Sequence, residues 1–152
     1  MFKKKIYIFL TVMLMYGCGF TPIHKNTLNN NLAIKIISKD GDFEINNIII
    51  SRLKPFDKKN YDKIFEITIS TNYEKKITSR NLAGKPDSYE LQVKTSVEII
   101  NNEENNNFII EENNKMNNLV DTSTDLQFEK SIKTNFANSI FEKIIQNLNN
   151  QI

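Results

Sequence analysis

The chain changes its hydrophobic period part-way along, and that change limits the folds open to it. From Lys63 to Thr71 two faces alternate: Phe65, Ile67, Ile69 and Thr71 on one, Ile64, Glu66, Thr68 and Ser70 on the other. Ser88 to Ile100 repeats the pattern, with Tyr89, Leu91, Val93, Thr95, Val97 and Ile99 on one face. A period of two is that of a strand with one side buried. From Asp125 onward the period is helical. Phe128, Ile132, Phe136, Ile140, Phe141, Ile144, Ile145 and Leu148 recur every three to four residues, which makes an amphipathic helix of about five or six turns. A sheet with one apolar face and a helix with one apolar stripe must cover each other.

The other elements follow from the same rules. Residues 32–37 (LAIKII) read as a short strand rich in branched side chains. Asp40-Gly41-Asp42 breaks it, and Asp42 is placed to cap a helix carrying Ile45, Ile48, Ile49 and Leu53. That helix should stop near Lys54, because Pro55 disfavours helical geometry in the residue before it. The long strand has room to continue through Tyr73 to Thr78, with Ser79–Asp87 as the connection to the next. Asn101–Asn107 is expected to turn, Phe108–Glu112 to resume a strand, and residues 118–124 to form another. Paired asparagines are taken as strand ends, since their side chains bond readily to nearby backbone. Their abundance, with that of Ile and Lys, is read as the imprint of an AT-rich genome. The expectation is one α+β domain over 32–150: a two-layer sandwich, with two helices on one face of a four-stranded, mostly antiparallel or mixed sheet.

Residues 1–17 have a different character. MFKKK is basic, IYIFLTVMLMY is apolar for about eleven residues, and Gly17-Cys18 follows. That run has the length of a signal-peptide core and falls short of a membrane span. A small residue before the only cysteine resembles the bacterial lipoprotein signal. The resemblance implies cleavage before Cys18, a diacylglyceryl group on its thiol and an acyl chain on its new amine. Two or three chains give lasting attachment where one is marginal. A lone free thiol in an oxidising space would be a liability, which acylation removes. Residues 18–31 then form a lipidated tether, with no other cofactor expected. Gly19, where inner-membrane lipoproteins often carry aspartate, points to the outer membrane. Removing residues 1–17 leaves 17 Lys and Arg against 18 Asp and Glu, a charge near −1. A near-neutral chain argues against a nucleic-acid partner.

The residues for catalysis are not apparent. The single histidine, His24, lies in the tether. Gly41 and Gly84 are isolated and form no phosphate loop. The pairs Asp40/Asp42 and Glu103/Glu104 lack the spacing of a calcium loop. Ser79-Arg80 and Thr122-Ser123-Thr124 have no identifiable base. The chain does not read as an enzyme. What remains is a basic patch, Lys75, Lys76, Arg80 and Lys85, around one strand-to-strand connection. Arginine and lysine together can hold a phosphate through charge-assisted hydrogen bonds.

Three stretches carry a resemblance. Cys18-Gly19-Phe20-Thr21-Pro22 resembles the CGFxP opening of the alphaproteobacterial LPS-assembly lipoprotein family, LptE. Thr78–Ile99 (TSRNLAGKPDSYELQVKTSVEI) is similar to that family's arginine-then-strand segment, and Ser131–Leu148 to its terminal helix around Ala137. The resemblance implies a plug inside the outer-membrane barrel LptD. There it would help assemble the barrel and deliver lipopolysaccharide to the outer leaflet. Arg80 and Lys85, with Lys75 and Lys76 behind them, would then meet lipid A phosphates. The competing reading is an accessory lipoprotein of an ABC-type lipid-transport system.

Overall fold

A computed structural model of the chain describes residues 33–57, 64–101, 104–118 and 122–151. The expected signal peptide, the tether, Cys18 and His24 lie outside these residues. Strand β1 (Ala33–Gly41) leads through Asp42 into helix α1 (Phe43–Leu53), which tightens into one 3-10 turn at Lys54–Phe56. Strands β2 (Ile64–Arg80), β3 (Pro86–Asn101) and β4 (Glu104–Asn117) follow, then helix α2 (Thr122–Asn149). The sheet order is β1-β2-β3-β4. β1 pairs parallel to β2, and the other two pairings are antiparallel. A parallel neighbour needs a crossover, and α1 supplies it. The chain is therefore the expected α+β sandwich with a mixed sheet.

The core forms where the two periods meet. Phe65, Ile67 and Ile69 of β2 and Leu91, Val93, Val97 and Ile99 of β3 are buried. They face Ile45, Ile49 and Leu53 of α1 and Ile132, Phe136, Ile140, Ile144 and Leu148 of α2, also buried. Each such side chain contributes about 1.5–3 kcal/mol of apolar burial. The opposite sheet face carries Thr68, Ser70, Asn72, Gln92, Lys94 and Ser96, exposed or half-exposed.

The β1–α1 junction is pinned by polar contacts. Gly41 takes φ +88°, and the Asp42 N–H donates to the Thr71 carbonyl at 2.8 Å. Asp42 caps α1 as expected, its Oδ1 accepting from the Ile45 N–H at 2.9 Å. Asn46, 2% exposed, donates to the Asp40 carbonyl at 2.7 Å and accepts from the Thr71 hydroxyl at 2.8 Å. Thr71 in turn meets the Thr95 hydroxyl at 3.1 Å. This buried polar group is thus satisfied on both ends of its amide.

Three expectations are corrected. β4 runs unbroken through Asn105–Asn107 and Asn113–Asn114, because its register with β3 spans Asn101↔Glu104 to Ser88↔Asn117. Ladder pairing overrides the local turn preference of asparagine. The strand expected over 118–124 is not formed by the described residues there. Asn118 adds a backbone N–H bond to the Asp87 carbonyl and a side-chain amide bond to the Pro86 carbonyl, and Thr122–Thr124 begin α2. β4 has already used the edge of β3 along that length. Ser79 and Arg80, assigned to the connection, close β2, which leaves Asn81–Lys85 as the turn.

Candidate functional site

β2 and β3 outrun the cover of the helices. From Glu74 to Arg80 every residue of β2 is exposed, whereas Leu91 of β3, opposite Lys75, is still buried, so it is the turn end of the hairpin that projects from the body. Strand alternation then divides the basic patch. Lys75 lies on the helix side: its ammonium meets Glu129 Oε2 at 2.7 Å and sits 4.4 Å from the Tyr89 ring centroid. Lys76 lies on the open side, pairing with Glu74 at 3.0 Å and donating to Gln92 at 2.8 Å. Arg80 and Lys85 flank the turn. One Arg80 guanidinium nitrogen donates to the Gly84 carbonyl at 2.9 Å. No carboxylate is paired with Arg80 or Lys85 among the described residues.

The turn is closed by Asn81. Its N–H donates to the Lys85 carbonyl and its carbonyl accepts from the Gly84 N–H, both at 2.9 Å. Its Oδ1 accepts from the N–H groups of Ala83 and Lys85 at 3.0 Å each. Gly84, at φ +76°, supplies the left-handed step such a turn requires.

Below the hairpin a half-buried charged cluster fastens α2 to the sheet, which sequence spacing did not disclose. The Tyr73 hydroxyl donates to Glu129 Oε1 at 2.8 Å. Lys133 bonds Asp42 Oδ2 at 3.0 Å, approaches Glu44 at 3.5 Å and stands 4.3 Å from the Tyr73 ring centroid. Burial and then Glu129 raise the Tyr73 phenol well above its ordinary range, so it stays a donor. Burial opposes charge on Glu129, yet the hydrogen bonds from Lys75 and Tyr73 outweigh it and hold its pKa below the usual value. Burial likewise opposes charge on Lys133, and Asp42 and Glu44 outweigh it, raising its pKa.

These directions fix a pH dependence. A lowered carboxylate pKa stabilises the fold above the carboxylate's ordinary range, and the gain is lost as pH falls through the lowered value. The raised Lys133 pKa gives stability that is complete below the ordinary lysine range and is lost only at strongly alkaline pH. Glu129→Gln is therefore expected to cost about 1 kcal/mol at neutral pH. In thermal melts the gap from wild type should start to narrow as pH falls into the ordinary glutamate range and close only below the lowered value. A gap that stays constant with pH would show that Glu129 acts through packing alone.

A trough of about 580 Å³ on the open face is lined by Asn72, Glu74, Lys76, Gln92, Lys94 and Glu111, among others. The carboxylates of Glu74 and Glu111 are already held, the first by Lys76 and the second by Lys94 at 2.7 Å. Among the described residues no group of His, Cys, Asp and Glu is placed to hold a metal ion.

No family model matches the sequence, and no curated protein does. Solved structures do. Rare lipoprotein B from Shewanella oneidensis matches with a TM-score of 0.53 at 17% identity, covering 77% of this chain and 98% of that one. The fold is that of rare lipoprotein B. A minor lipoprotein from Acinetobacter baumannii matches at TM-score 0.52 and 12% identity, over 76% of this chain and 94% of that one. The rare lipoprotein B fold is thus spanned almost whole by this chain.

Proposed function

We propose that this chain is an outer-membrane lipoprotein, anchored through acylated Cys18, whose body sits in the lumen of an LptD-like β-barrel that passes lipopolysaccharide to the outer leaflet. The observation that carries the reading is the fold shared with rare lipoprotein B over 98% of that chain. The Cys18–Pro22 opening and the small-residue step before Cys18 support it. So does the open sheet face, where Thr68, Ser70, Asn72, Gln92 and Ser96 suit a polar, water-filled lumen better than lipid. The body acts by filling and bracing the barrel, and no catalytic step is assigned to it. Arg80 and Lys85 are the proposed phosphate contacts. Lys75 and Lys76, each held by an acid on opposite faces of β2, stand behind them.

The test is a pull-down of the tagged protein from detergent-solubilised outer membranes, with partners identified by mass spectrometry. A large β-barrel in one-to-one ratio is the expected result. Recovery of an ABC-transport component, or of no barrel, would overturn the plug reading. Intact mass of the mature protein reads acylation at Cys18 in the same preparation.

A further inference from the structure

The two edges of the sheet are protected unequally. β1 is 9 residues long, has a register shift between Ile36 and Ser38, and carries Lys35 and Lys39. A short strand, a bulge and lysines are the usual devices against pairing with another chain. β4 is 14 residues long, has no register shift, no proline and one lysine, Lys115. Its two central acids are already held within the chain, Glu111 by Lys94 at 2.7 Å, and Glu112 by Lys143 at 2.8 Å and by Ser139. Leu82, in the hairpin turn, is one of several large apolar side chains that stand in solvent. Ile109, 57% exposed, is another, and it lies on this edge.

The direction of the free backbone groups follows from one bond. Asn118 donates its N–H to the Asp87 carbonyl at 2.8 Å, in register with the β3–β4 ladder. Residues that bond to an antiparallel neighbour alternate with residues that do not. The even-numbered residues of β4 therefore bond to β3. The N–H and C=O groups of Asn105, Asn107, Ile109, Glu111 and Asn113 point away from it, and they have no backbone partner among the described residues.

We infer that β4 is a self-association edge: a second copy of the chain adds its own β4 antiparallel, with Ile109 on the two-fold axis, and joins two four-stranded sheets into one. A two-fold pairing makes each contact twice, so the sequence can be tested against itself. Centred on Ile109, that residue meets its own copy, Phe108 meets Ile110, and Glu111 and Glu112 meet Asn107 and Asn106. Every acid then faces an amide and every apolar side chain an apolar one. Centred on Phe108, Glu112 faces Glu104; centred on Ile110, both central acids face apolar side chains. Centred on Glu111 or Glu112, an acid meets itself, which is destabilising. Centred on Asn113, Glu111 meets Lys115, but Lys94 already holds it and Ile109 is left facing Asn117. A single pair of edges gives less than the about 1,200 Å² of the smallest stable interfaces, so the dimer is a weak one. Anchoring of both copies on one membrane, as proposed above, would raise their effective concentration.

The lipidated full chain is purified in detergent as Ile109→Cys and, separately, as Asn113→Cys, and oxidised with copper phenanthroline. Directly opposed residues in a bonded pair stand about 5.5 Å apart, within disulfide reach. In the Ile109-centred register Asn113 and its copy are about 26 Å apart. The expected result is a disulfide dimer from Ile109→Cys and none above the wild-type background from Asn113→Cys. Equal cross-linking at both positions, or at neither, overturns the inference. Ile109→Lys keeps an exposed position exposed in the monomer and sets two like charges on the axis. Sedimentation in density-matched detergent should show dimerisation weakened about tenfold, and an unchanged dimer, or a wild type that stays monomeric, overturns the inference as well. The pairing needs no barrel, so it is independent of the plug reading. A recovered barrel with no dimer keeps that reading and removes this one, and a dimer with no barrel does the reverse.

Discussion

Gly41→Ala is expected to destabilise the fold by at least about 4 kcal/mol, enough to leave little folded protein from a domain of ordinary stability. Two costs combine. At φ +88° an L side chain is strained, worth about 1 kcal/mol or more. A Cβ there would lie 1.9 Å from the Thr71 carbonyl oxygen and 2.7 Å from its carbon, both backbone atoms of a core strand. Neither can move without opening the β1–β2 ladder and the Asp42–Thr71 bond. Gly84→Ala is the matched control. Its φ is +76° and nothing lies within 4 Å of the new methyl, so only about 1 kcal/mol is expected. Urea unfolding followed by circular dichroism compares the two. Equal midpoints for Gly41→Ala and Gly84→Ala would refute the clash argument.

Asn46→Asp is expected to cost about 3 kcal/mol or more at neutral pH, although it alters one atom's chemistry and no shape. The Asn46 amide donates to the Asp40 carbonyl and accepts from Thr71 in a site that is 2% exposed. A carboxylate there would face the Asp40 carbonyl with no proton to give. The fold should keep the new acid protonated, raising its pKa above the unfolded value near 4. A raised carboxylate pKa makes the penalty small in acid and larger as pH rises. Asn46→Ala, which has no titrating group, should lose a roughly constant amount across the same range. Parallel pH profiles for the two variants would contradict this account.

Much of the body is legible in the sequence because burial writes its period into the residues. Phe65-x-Ile67-x-Ile69 and Leu91-x-Val93 are buried as read, and Ile132, Phe136, Ile140 and Leu148 are buried at helical spacing. The same stripe misleads at its start. Phe128 belongs to the pattern yet is 45% exposed, since its turn of helix lies at the projecting end. The asparagine clusters mislead for a related reason. Asn105–Asn107 lie in an edge strand, where β3 supplies the ladder whatever the local preference. The basic patch shows a different failing. Lys75 and Lys76 are neighbours in sequence, and sequence proximity joins them, but a strand sends consecutive side chains to opposite faces. Leu82 carries no signal at all, because a lone leucine between Asn81 and Ala83 has no period to betray its exposure. The lock between Asp42 and Lys133 is equally silent, its partners being 91 residues apart.

The parallel pairing of β1 with β2 has a mechanical consequence. The described chain starts at Ala33, opposite Ile64, and the β2–β3 turn lies at the far end of β2. At roughly 3.3 Å per residue the two points are about 50 Å apart along the strand. A pull on Ala33 resisted at the turn would run along the strands. It would load the β1–β2 hydrogen bonds in shear, all at once, and could not open them one at a time from an end. A strand held this way resists force far better than an edge peeled sideways, so the first strand can serve as a strain-bearing cable for the rest of the fold.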